Sequence, residues 1–123
     1  MYKKYLLSSI IFVIIDYIYL SNVGNKYNDM IFKIQNKNIN LKMNSAIVCY
    51  IILLFGLNYF IIKDNKSELD AFLLGFTIYG VYDATNHATI EEWNLNIAIT
   101  DTIWGGLLFY STTYLTYYFT NKN

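Results

Sequence analysis

Ala46 to Ile62 reads A-I-V-C-Y-I-I-L-L-F-G-L-N-Y-F-I-I, a run without a single charge, with Lys42 and Lys63 just outside its ends. At about 1.5 Å of rise per residue, this run and a few flanking residues span a hydrocarbon core of about 30 Å. A soluble domain of this size has no need of such a helix. The reading is therefore an all-α integral membrane protein.

Working outward, three further runs complete a four-helix bundle. The first, Tyr5 to Leu20, follows Lys3 and Lys4 and is interrupted by Asp16. A cleaved signal peptide is the rival reading, but no A-x-A-like site follows and Asp16 stands where the apolar region should end cleanly. The third run covers about Leu69 to Thr89 and contains Asp83, Asn86 and His87. The fourth, Ile97 to Phe119, has Asp101 near its start and an aromatic cluster at its end. The expected spans are 4–22, 45–63, 69–89 and 97–119, in one domain over 1–123. Tyrosines and Trp93 near segment ends suit the interfacial aromatic belt. Between the first two spans, Tyr27, Met30, Ile31 and Ile34 fall at helical spacing. That pattern fits an interfacial helix, and equally a polar loop with scattered apolar residues.

Composition excludes several function classes. Hydrophobic residues make up 55% and charged residues 15% of the 123, and the formal net charge is zero. No basic field exists to hold nucleic acid. The lone cysteine, Cys49, allows no internal disulfide. His87 has no second His or Cys at ligand spacing, so neither a metal nor another cofactor is expected. Lysines divide almost evenly between the two sides, Lys3, Lys4, Lys63, Lys66 and Lys122 against Lys26, Lys33, Lys37 and Lys42. The Glu91–Glu92 loop, which lacks lysine, tips the termini toward the cytoplasmic side.

Charges inside a span cost about 2.5–3.5 kcal/mol each on insertion scales, so Asp16, Asp83 and Asp101 need a reason. Asp16 and Asp83 each lie about six residues before the end of a span, or about 9 Å deep, and Asp101 about 6 Å deep. Antiparallel alternation puts all three in one leaflet, under the loop of Glu91, Glu92 and Trp93. Tyr79, Asp83, Asn86 and His87 share one face of the third helix. Asp101, Trp104, Gly105 and Leu108 share one of the fourth, and Ser9, Phe12, Asp16 and Tyr19 one of the first. Gly80, Ala84 and Ala88 form a small-xxx-small ridge for close helix approach, with Gly105 and Gly106 able to do the same.

Three readings of this cluster stand side by side. It is a structural hydrogen-bond network in a structural or accessory protein, for instance a partner of a lipid-active enzyme; a site that binds or transports a small molecule, ion or proton; or an enzyme site acting on lipid. Asp83 and His87 at i, i+4 lack an obvious nucleophile, though Thr85 and Thr89 are near. Four short helices enclose little volume, so transport implies a homo-oligomer in the lipid bilayer.

The segment Y-G-V-Y-D-A-T-N-H-A-T-I-E-E-W (Tyr79 to Trp93) followed by D-T-I-W-G (Asp101 to Gly105) resembles the small predicted membrane proteins of domain of unknown function 2177. The matching positions are Tyr82, Asp83, Thr85, Asn86, Ala88, Thr89, Trp93, Asp101, Trp104 and Gly105. The similarity extends to Asp16 and to F-G-L-N-Y-F (Phe55 to Phe60), which takes in nearly the whole chain. Departures are Ala84 where leucine is usual, Asn94 where proline often follows the tryptophan, and Tyr19 in place of tryptophan. They bear on packing more than on the carboxylates. The resemblance implies a multi-helix membrane protein and no particular activity.

The protein is expected to stay with membranes after alkaline carbonate washing, because the 46–62 run is long, apolar and charge-free. Release into the supernatant would overturn the class.

Overall fold

The computed structural model describes residues 2–120, and among these every regular element is helical. Helix α1 runs Lys3–Gln35, α2 Met43–Leu57, α3 Glu68–Thr89 and α4 Leu95–Thr120. A π-helical turn, Asn58–Ile62, continues α2 without a break, with Lys63 N–H donating to Asn58 O at 2.8 Å. Two stretches, Lys3–Gln35 and Met43–Ile62, are long and apolar enough to cross a membrane.

Local chemistry sets the ends. Asn36 closes α1 at φ 60°, its N–H bonded to Phe32 O, and Asn65 takes φ 52° in the turn before α3. Asparagine is among the few non-glycine residues that enter this left-handed region readily. Ser67 caps α3 by accepting from Asp70 N–H, and Glu68 and Asp70 sit where the helix dipole favours negative charge. Asn94 caps α4 by accepting from Ile97 N–H at 3.1 Å.

The segment after the first apolar run is neither a separate interfacial helix nor a loop. Helix α1 simply continues, because no proline interrupts it and its helical spacing never lapses. Its 33 residues measure about 50 Å, well beyond a bilayer core of about 30 Å. Tyr27, Met30, Ile31 and Ile34 pack there on Ile90, Trp93, Ile97 and Ala98. The following loop folds back on the same helix, with Asn28 bonded to Asn38 and to Ile39 N–H.

The main core joins all four helices around Phe12, Leu53, Leu57, Ile62, Leu108 and Phe109. Its tightest seam is α3 against α4. The sequence ridge proves to be displaced from that seam. Gly80 does face Thr102, but Ala84 and Ala88 are exposed. Close approach occurs instead at Gly75, where a Cβ would fall on Gly105 O, and at Gly105 and Gly106, covered by the Tyr79 and Phe72 rings. The difference arises because spacing shows which residues share a stripe, while the neighbour's position decides which stripe is used.

Gly75→Ala and Gly105→Ala should each destabilise the fold by about 1–3 kcal/mol, the usual scale of overpacking. Gly24→Ala meets nothing within 4 Å and should stabilise by about 0.5–1 kcal/mol through its helix preference. Thermal unfolding in detergent checks this, and equal behaviour of the three variants would mean the seam is looser than described.

Candidate functional site

Asp16 sits in the middle of α1, buried, on the face that meets α2 and α4. Tyr50 of α2 donates its hydroxyl to Oδ2, and Trp104 Nε1 of α4 donates to Oδ1 at 3.0 Å. Tyr19, one turn along α1, stacks flat on the Trp104 indole at 4.1 Å between ring centres. The stack fixes the indole plane, and with it the direction of the N–H.

Asp101, near the start of α4, has a different donor. Tyr27 reaches it from the overshooting part of α1, with its hydroxyl 2.8 Å from Oδ1, and the Tyr19 hydroxyl lies 3.4 Å from that of Tyr27. Tyr19 thus touches both arrangements, stacking on the indole that serves Asp16 and lying beside the Tyr27 hydroxyl that serves Asp101. Both line a cavity of about 370 Å³ between the four helices, together with Cys49, Tyr79, Tyr82 and Trp104. No lysine lines it. Such a volume falls within the range of about 300–1,000 Å³ usual for small-molecule sites.

Asp83 stands apart. It neighbours Asp101, Trp93 and Thr102, yet neither of its oxygens is in hydrogen-bond geometry with any described residue, and it is only 1% exposed. Trp93 Nε1 is likewise buried without a partner. Asp83 lines not the central cavity but a groove on the other side of the α3–α4 seam, which His87 also lines.

The remaining sequence candidates scatter. Tyr82 is exposed and packs edge-on against Trp93, 5.9 Å between ring centres. Asn86 is half-buried, and His87 and Thr89 are exposed, Thr89 bonding only back to Thr85 O. No group of three His, Cys, Asp or Glu among the described residues is close enough to hold a metal ion.

Sequence reasoning missed Tyr50 as a partner of Asp16, and Tyr27 as a partner of Asp101. A signal existed for Tyr50, since a hydroxyl in an otherwise apolar span needs an internal acceptor. Tyr27 carried none, because its role depends on α1 continuing past the bundle. A third missed pair, Ser8 and Asn58 at 2.6 Å, ties α1 to the π turn.

The chain belongs to the predicted membrane protein family of domain of unknown function 2177, whose family model matches residues 1–121. It is a membrane protein. No curated protein and no solved structure matches it.

Removing either donor of Asp16, by Tyr50→Phe or Trp104→Phe, should cost about 0.5–1.5 kcal/mol. Together they should cost more than the sum by about 1 kcal/mol, since the second removal strands a buried carboxylate. A double-mutant cycle of unfolding in detergent checks it, and strict additivity would mean Asp16 draws on other partners.

Proposed function

We propose that the protein crosses the bilayer four times and binds a small cationic molecule in the cavity between its helices. At about 1.5 Å per residue, the 22 residues of α3 and 26 of α4 match or exceed a core of about 30 Å. Their outward side chains, among them Leu73, Val81, Ile99, Ile103 and Leu107, are apolar and exposed, while Asp83, Asp101, Thr112 and Thr116 are buried. That inverted distribution suits lipid as the surrounding medium. On this reading the Lys3, Lys4, Lys63 and Lys66 end lies on the cytoplasmic side.

The observation behind the binding reading is that Asp16 and Asp101 share one cavity with no cationic side chain. Tyrosine and tryptophan donors orient the carboxylates but do not neutralise them. Two carboxylates in a low-dielectric cavity cannot both ionise cheaply, so each needs a proton or a cation. A compact organic cation fits the volume and the aromatic walls, because tyrosine and tryptophan faces attract cations. The rival role, a purely structural network, has one observation in its favour: both Asp16 oxygens already accept a bond.

The two roles separate on binding-linked stability. In lipid nanodiscs, methylammonium, tetramethylammonium, guanidinium, sodium, potassium and magnesium are titrated into wild type and Asp101→Asn. A ligand at a hundred times its Kd should stabilise wild type by about 2.7 kcal/mol, by mass action. The variant keeps an acceptor for Tyr27 and should not respond. If no cation moves the wild-type midpoint and the variant is equally stable, the network is structural and the binding reading fails.

A further inference from the structure

The α3–α4 seam has a second side, turned away from the central cavity. There Gly80, Ala84 and Ala88 leave a groove of about 490 Å³, walled by Phe76, Ile99 and Ile103. The three wall residues, Ala84 and Ala88 are exposed, so the groove opens outward. Its lining is almost wholly apolar, with one charged exception. Asp83 is among its lining residues, 1% exposed and with neither oxygen in hydrogen-bond geometry, although Trp93 and Thr102 lie close.

An unpartnered buried carboxylate is costly, and here a second carboxylate, Asp101, lies beside it. Neither α3 nor α4 contains a lysine, and no hydrogen bond joins His87 to Asp83. A proton shared with Asp101 would relieve that cost, and so would positive charge brought from outside the chain, and only the second gives the groove an occupant. That occupant must also have an apolar body, because beyond His87 and Thr102 the rest of the groove is apolar.

We infer that this groove binds a single-chain membrane amphiphile with a primary amine head group, its chain along the Gly80–Ala84–Ala88 ridge and its ammonium on Asp83. A protonated amine supplies both the charge and the donors that Asp83 lacks. The small residues provide the room. The inference rests on α3 and α4 lying in the bilayer. It does not involve the central cavity, whose ligand would meet Asp16 and Asp101.

The test uses the whole protein in phosphatidylcholine nanodiscs, with dodecylamine as probe. Dodecanol and dodecyltrimethylammonium serve as controls, the first lacking charge and the second lacking donors. Dodecylamine should raise the thermal midpoint with concentration, and both controls should do so less. Asp83→Asn should weaken the apparent affinity roughly ten- to a hundredfold, the scale of one charge-assisted hydrogen bond. Ala84→Leu fills the groove from an exposed position, so it should weaken the response similarly while leaving the unliganded midpoint unchanged.

An equal response of wild type and both variants would mean simple partitioning and overturn the inference, as would no response at all. If Ala84→Leu instead lowers the particle mass and leaves the amine response intact, the ridge holds a second copy of the chain. Whether the groove faces lipid is read separately, from oxygen against nickel-chelate collision with a nitroxide on Ala88→Cys in a Cys49→Ser background. Nickel access there would sink the four-span reading rather than the amine site alone.

Discussion

Asp16 is the point on which the assembly hangs. Its carboxylate belongs to α1, and its two donors come from α2 and α4. In lipid, apolar side chains gain little by leaving the solvent, so association depends on packing and on interhelical hydrogen bonds. Helix α2 shows the consequence. Ile47, Val48, Ile51, Ile52 and Phe55 all face outward, and its polar anchors are few. Tyr50 on Asp16 holds it at its middle, and Asn58 accepting from Ser8 holds it at its C-terminal end. The π turn that contains Asn58 is suited to this, since such bulges redirect side chains within an otherwise regular helix.

The α3–α4 pair is joined by a different means. Gly75, Gly105 and Gly106 let the two backbones meet with only a tyrosine and phenylalanine rings between them. Further along α3, Gly80 still meets Thr102 of α4. Space opens there on both sides of the seam, the central cavity on one and the outward groove on the other. Asp101 and Asp83 are neighbours across this seam, yet each borders a different space. The seam thus gives two adjacent carboxylates different surroundings.

The long α1 serves this arrangement twice. Its first half supplies Asp16 and Tyr19 to the cavity, and its overshoot brings Tyr27 over Asp101 and Met30 against the α3–α4 turn. Met30 Sδ accepts the Asn94 N–H at 3.2 Å, so the turn that presents Trp93 is held from α1 as well as from its own helices. A single uninterrupted helix therefore sets both the floor and the roof of the polar region.

Helical class and membrane character were legible in the residues themselves. A charge-free run such as 46–62 leaves the backbone no partner but itself, and a helix satisfies every internal N–H and C=O at once. The three aspartates also stood out, because a carboxylate in an apolar run needs compensation wherever it points. What the chain could not show was the compensation. Tyr50, Trp104 and Tyr27 lie 34, 88 and 74 residues from the carboxylates they serve. The hydroxyl of Tyr50 and the position of Trp104 marked those two as polar candidates, but nothing local says which carboxylate each serves, and nothing marks Tyr27. The same holds for Gly75 against Gly80: both are glycines on α3, and only the position of α4 makes one a contact and the other the edge of a groove. Periodicity is a property of one helix, whereas pairing depends on the rotation of two, and that is decided only when they pack.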